Sequence, residues 1–216
     1  MSELGGKANT RIRAEQLGHQ LDGVVDPKVL SQLIKELENE GLAFEGAEAS
    51  FELLIRRHQA DYAAPFRLVD YTCLVEQRAG RELLAEATVK VEVAGEALHT
   101  AADGNGPVNA IDAALRKALA GAYPEIDTIR LDDYKVRILD GRDGTAAVTR
   151  VLIDHSNGSE QWTTVGASPS IVEASLTALT DGIEHGLWLA AARAHRTSHH
   201  GSKGDRDESH DRPLAG

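Results

Sequence analysis

The sequence predicts an α+β fold. A helical subdomain spans residues 1–61, two βββα units in pseudo-twofold arrangement span 62–192, and a disordered tail spans 193–216. Three observations predict this. A tight turn that feeds an alanine-rich helix occurs twice, at 100–119 and 164–179. The apolar spacing changes from helical to alternating near Tyr62. Beyond Arg193 the chain has almost no apolar residues, so it cannot offset the entropy of ordering.

The repeat aligns without gaps. Thr100 meets Thr164, Val108 meets Val172, Ala110 meets Ala174, Ala114 meets Ala178 and Leu115 meets Leu179. One βββα unit cannot bury both its sheet face and its helix, whereas two in contact can. In the first copy Asn105 or Gly106 serves as helix cap and Pro107 suits the first turn. In the second copy Ser168 is read as the cap and Pro169 as the first-turn residue.

The elements follow in order. Lys7 to Leu17 reads as a short helix stopped by Gly18. Asp26 caps a clearer one, with Pro27 in its first turn and an apolar stripe of Val29, Leu30, Leu33, Ile34 and Leu37. Gly41 ends it. A third helix, from about Gly46 to His58, turns Ala47, Phe51, Leu54 and Ile55 inward. These helices are too short for a rich core of their own and need a surface to cover.

Phe66 to Glu76 and Leu84 to Val93 alternate as strands do, joined by Ala79-Gly80-Arg81. Val93-Ala94-Gly95-Glu96 turns into a third strand, Ala97 to Ala101. The second unit repeats the order with strands at Ile129–Leu139, Ala147–Asp154 and Gln161–Val165. Turns fall at Asp140–Gly144 and Asn157-Gly158. Its helix reaches about Ala192.

Composition narrows the function. A net charge of -11 argues against nucleic acid, which needs clustered Lys and Arg. The single cysteine, Cys73, excludes an internal disulfide and fits a reducing cytosol, so a cytoplasmic location is expected. Cys73 lies in an apolar strand and is read as buried and inert. No apolar run is long enough to span a membrane. No Ser/His/Asp set, H-E-x-x-H or C-x-x-C occurs, so no catalytic residue is assigned. Asp132 and Asp133 are adjacent on a strand and are expected to face opposite sides. His195, His199, His200 and His210 lie in the tail without ordered spacing, so no metal site is expected. Two classes remain, a small-ligand sensor and a scaffold that only dimerises. The free N–H groups at a helix start suit a small anion such as a carboxylate.

Several stretches carry a resemblance. D-G-N-G-P-V-N-A-I-D-A-A-L at 103–115, L-D-D-Y-K-V-R-I-L at 131–139 and G-A-S-P-S-I-V-E-A-S at 166–175 resemble the C-terminal regulatory domain of the 2-isopropylmalate synthase and citramalate synthase family. S-E-L-G-G-K-A-N at 2–9 and F-E-G-A-E-A-S-F-E-L-L at 44–54 resemble its linker, the latter most like the citramalate synthase branch.

The resemblance implies a dimer that binds leucine or isoleucine as an end-product effector near its interface. Carried over by position, Gly104, Gly106, Val108 and Asn109 face the effector. Leu131, Tyr134, Ile138 and Val148 form the apolar pocket for its side chain. By alternation, Leu131, Asp133, Lys135, Arg137 and Leu139 fall on one face of the strand, and Tyr134, Val136 and Ile138 share the other. The effector's ammonium is left to loop carbonyls or an acid such as Asp103. The family's catalytic barrel binds a divalent metal and condenses acetyl-CoA with a 2-oxo acid. It would lie before Met1, so the chain is expected to hold no cofactor and to have no activity alone. That leaves a fragment, an internally started product or a stand-alone regulator beside a separate barrel protein. Isoleucine is preferred on the linker resemblance, with a leucine sensor of the 2-isopropylmalate synthase type as the alternative.

Overall fold

The computed structural model describes residues 27–139, 144 and 146–201. The expected Lys7–Leu17 helix, the Asp26 cap, most of the Asp140–Gly144 turn and His210 lie outside them, as do the side chains of His195, His199 and His200. Two helices come first, α1 (Pro27–Asn39) and α2 (Glu48–Arg56). The first unit follows as β1 (Arg67–Glu76), β2 (Leu84–Val93), β3 (Glu96–Gly104) and α3 (Pro107–Leu119). A 3-10 turn over Pro124–Thr128, which the sequence reading did not anticipate, leads to the second unit. That unit is β4 (Arg130–Ile138), β5 (Thr149–Ser156), β6 (Gln161–Ser168) and α4 (Ile171–Gly201). Each unit has its own antiparallel sheet, ordered β1-β2-β3 or β4-β5-β6.

The duplication extends to single hydrogen bonds. Thr100 donates to the Ala114 carbonyl at 2.7 Å, and Thr164 donates to the Ala178 carbonyl at 2.6 Å. Each threonine ties the third strand of its unit to the helix that follows. Both first strands also carry a bulge at the same place. In β1 it lies between Leu68 and Asp70, and in β4 between Leu131 and Asp133. Val69 and Asp132 are the extra residues.

A bulge shifts the alternation by one. Leu131 and Tyr134 therefore both pack against the core, which strict alternation forbids. The expectation that Tyr134 lies on the opposite face from Leu131 is corrected by this inserted residue. Beyond it, Val136 and Ile138 share Tyr134's face but are 43% and 62% exposed.

One core joins the two units. Val89 and Val91 of β2, Ile111 and Leu115 of α3, Val151 and Ile153 of β5, and Leu179 and Ile183 of α4 all belong to it. A second core lies on the other side of the second sheet, where Leu30, Phe44, Phe51 and Ile55 close over Val165. The second sheet is thus covered on both faces, by α4 and by α1–α2. This is the surface that the short N-terminal helices need. Leu53 rather than Leu54 is the fully buried leucine of α2, since the helix is packed on two sides.

The helix of the second unit differs from expectation at both ends. It begins at Ile171, with Ser170 as its cap, two residues after the expected Ser168. Ser168 instead accepts from the Ser170 N–H at 3.0 Å. The helix also continues past Ala192 to Gly201, into the stretch expected as a tail. No glycine or proline interrupts 193–200, and Arg193 binds Ser159 and Glu160 of the β5–β6 hairpin at 2.5 and 2.6 Å. Cys73 is half-buried rather than buried, and burial raises its thiol pKa.

Candidate functional site

A groove of about 780 Å³ opens where the first unit meets the second. One wall is the start of α3, with Gly106, Val108 and Asn109. The other is the 3-10 turn and the first residues of β4, with Leu131, Asp132 and Tyr134.

The α3 wall is shaped by its turn. Gly106 caps the helix with extended backbone and no side-chain hydrogen bond, and Pro107 takes the first position. A Cβ on Gly104 would lie 2.4 Å from the Ala110 nitrogen and 2.8 Å from Asn109 Oδ1, so only glycine allows this approach. Asn109 Oδ1 accepts from the Asn105 N–H at 3.1 Å. The first intrahelical bond is Ala110 N–H to the Gly106 carbonyl, at 3.0 Å. The N–H groups of Val108 and Asn109 find no acceptor among the described residues and sit at the positive end of the helix dipole.

The second copy of this turn is closed by its own side chains. Glu173 N–H donates to Ser170 Oγ at 3.3 Å, and Ser168 Oγ donates to Glu173 Oε2 at 2.7 Å. Of the two related helix starts, the first alone is open.

The floor of the groove is held by Arg116. It binds both oxygens of Asp112 at 2.9 and 3.0 Å and the carbonyls of Ile126 and Ile129 at 3.0 and 2.7 Å. This fixes the 3-10 turn and the entry to β4 against α3. Asp112 and Arg116 were missed in the sequence, although their i, i+4 spacing on one helix was the available signal. Tyr134 is held from behind. Ser175 donates to the Ile171 carbonyl at 2.5 Å, so the Tyr134 hydroxyl, 2.5 Å from Ser175 Oγ, is the donor in that pair.

Of the eight residues expected at the site, Gly106, Val108, Asn109, Leu131 and Tyr134 line the groove. Gly104 lies just behind it, where it permits the turn. Ile138 stands at the far end of β4. Val148 is turned towards α1, beside the position that a Cβ on Gly41 would take. Asp103 is exposed on β3, outside the groove lining.

A second hollow of about 580 Å³ lies between α2, α4 and the second sheet, lined in part by Glu48, Glu52, Asp154, His155 and His185. Among the described residues no three His, Cys, Asp or Glu side chains are placed to hold a metal. Nor is any described helix long and apolar enough to cross a membrane.

Paired βββα units share one core and leave one of their two helix starts open beside the groove between them. The chain belongs to the LeuA allosteric (dimerisation) domain family, whose model matches residues 45–187. It is similar to proteins named (R)-citramalate synthase. The one from Geobacter sulfurreducens is 46% identical over 190 residues, covering 87% of this chain and 36% of the relative. The one from Synechocystis is 48% identical over 197 residues, covering 88% and 36%. That of Aquifex aeolicus is 44% identical over 189 residues, covering 87% and 36%. The chain thus spans just over a third of the length of these relatives.

Proposed function

We propose that this chain is the regulatory portion of a citramalate synthase-like acyltransferase and that it binds isoleucine as a feedback inhibitor. The observation that carries this reading is the groove, because it is built from both units and has a polar end and an apolar wall. The open start of α3 offers N–H groups to the effector's carboxylate. Leu131 and Tyr134 take its branched side chain, a burial worth about 1.5–3 kcal/mol. An effector held there touches α3 of one unit and β4 of the other, so it favours one arrangement of the two units over another.

The chain acts as a homodimer. Leu74, Val75, Leu83, Leu84, Val136 and Ile138 leave apolar surface at the uncovered strand ends of both units, and the family is described as a dimerisation domain. Ile138 contributes to the apolar part of the site on the strand end that a second copy would close. The chain makes no citramalate alone, since acetyl-CoA condensation belongs to the metal-dependent barrel of the family.

Light scattering combined with thermal denaturation tests this reading. The chain should have a dimer mass at tens of micromolar. Isoleucine should raise its melting temperature, leucine less so, and alanine hardly at all. An intact dimer whose melting temperature ignores every branched amino acid would leave only the dimerising scaffold.

A further inference from the structure

The two bulges occupy the same place in the repeat but carry different residues. In β1 the extra residue is Val69, and in β4 it is Asp132. The bulge residue Asp132 follows Leu131 in the groove lining, to which Tyr134 also belongs, and it borders the second hollow as well. Its carboxylate has no partner among the described residues. The neighbouring acids are committed. Asp112 is bound by Arg116 through both oxygens. Asp133 pairs with Lys135 at 2.9 Å. Asp154 is bound by Lys135 at 2.8 Å and by Thr163 at 2.6 Å.

The groove therefore has two unlike poles. The start of α3 and the exposed guanidinium of Arg130, which has no partner among the described residues, form the positive one. Asp132 and Asp127 are the uncommitted carboxylates. Asp127 sits on the 3-10 turn, before β4 begins, whereas Asp132 lies in β4 between the two apolar wall residues, Leu131 and Tyr134. In an α-amino acid the ammonium and the side chain leave the same carbon. The group that holds the ammonium must therefore stand next to the apolar wall.

We infer that Asp132 holds the ammonium of the amino acid bound in this groove, and that it distinguishes an amino acid from a carboxylic acid of the same shape. A carboxylate receiving an ammonium in a partly enclosed groove makes a charge-assisted hydrogen bond, which the des-amino ligand cannot form. The inference rests on the sensor reading above.

Calorimetry on the full chain with L-isoleucine and with 3-methylpentanoate, its des-amino analogue, tests it. The wild type should bind isoleucine at least about tenfold more tightly than 3-methylpentanoate. Asp132→Asn should remove that preference, weakening isoleucine about tenfold or more and leaving 3-methylpentanoate unchanged. Asp132→Val, the residue that the first unit carries at the same place, should do the same with the dimer and its melting temperature retained. Asp127→Asn should change neither ligand. The inference is overturned if Asp132→Asn binds isoleucine as the wild type does, if it weakens both ligands equally, or if Asp127→Asn is the variant that loses the preference. Absence of isoleucine binding to the wild type would instead overturn the sensor reading, and this inference with it.

Discussion

Arg57 and Asp181 meet at 2.6 Å although 124 residues separate them in the chain. Arg57 also binds Glu184 at 2.7 Å, and the Tyr62 hydroxyl donates to the same carboxylate. Ser50 donates to the other oxygen of Asp181 at 3.1 Å and accepts from the Val165 N–H at 3.0 Å. Asp181 is 6% exposed, and burial raises its carboxyl pKa while Arg57 opposes the shift. This cluster fastens α2 and the segment after it to α4. That segment then enters the first unit at β1.

Removing one member of such a cluster leaves the others buried without compensation. Arg57→Met should cost about 3 kcal/mol in chemical denaturation, at the lower end for buried pairs because Arg57 is half exposed. The neutral triple variant Arg57→Met, Asp181→Asn, Glu184→Gln should cost less than Arg57→Met alone, since no charge is then left unpaired. A triple variant that is less stable than the single one would show that packing rather than charge holds the joint.

His155 should make stability depend on pH. Its side chain is fully buried, stacks on Trp162 and approaches Thr164 Oγ1 at 3.2 Å. Thr164 spends its proton on the Ala178 carbonyl, so His155 Nε2 is the donor, and the buried Nδ1 has no hydrogen-bond partner among the described residues. Burial first, and then the charge of Arg116, push its pKa down to about 4 from an ordinary 6.5. Between those values the unfolded chain binds a proton that the folded chain refuses. Stability should therefore fall as pH drops from about 6.5 to about 4, by about 3 kcal/mol in total. In His155→Gln, which keeps an N–H donor, the loss from pH 7 to pH 5 should be visibly smaller. Parallel wild-type and variant curves over that range would contradict this account.

Two small substitutions should act in opposite directions. A Cβ on Gly166 would stand 2.0 Å from the Ala174 carbonyl oxygen, which belongs to the backbone of α4. Gly166→Ala should therefore destabilise by about 1–3 kcal/mol or more, because a helix rather than a flexible side chain must move. Ala94 has a positive φ of 50° ahead of Gly95 at 84°, the geometry of a type I′ hairpin. Ala94→Asn should stabilise by about 0.5–1 kcal/mol, as asparagine tolerates that region better. Thermal denaturation of both variants checks the pair.

Much of the fold was legible because it rests on local spacing. The register of Thr100 with Thr164 and of Ala110 with Ala174 foretold both strand-to-helix passages, and Gly106-Pro107 marked where α3 begins. The bulges were not legible. Each inserts one residue into a strand that still alternates on either side, so Leu131 and Tyr134 read as opposite faces when they share one. The Ser168 hydroxyl reads as a helix cap, but Ser170 takes that place and Ser168 supports it from behind. Contacts such as Arg57 with Asp181 leave no trace at short range. At the candidate site, the turn residues and the first half of β4 were readable. Arg116, which fixes the floor, and Asp132, which the bulge brings into the groove, come from tertiary geometry.

The groove between α3 and β4 is expected to bind a branched-chain amino acid. Isothermal titration of L-isoleucine into the purified dimer tests it most directly, with Tyr134→Ala as the companion variant. Isoleucine should bind saturably, leucine more weakly and alanine with little heat, and Tyr134→Ala should lose affinity clearly without losing the dimer. No saturable heat from isoleucine or leucine at millimolar concentration, with the dimer intact, would contradict it.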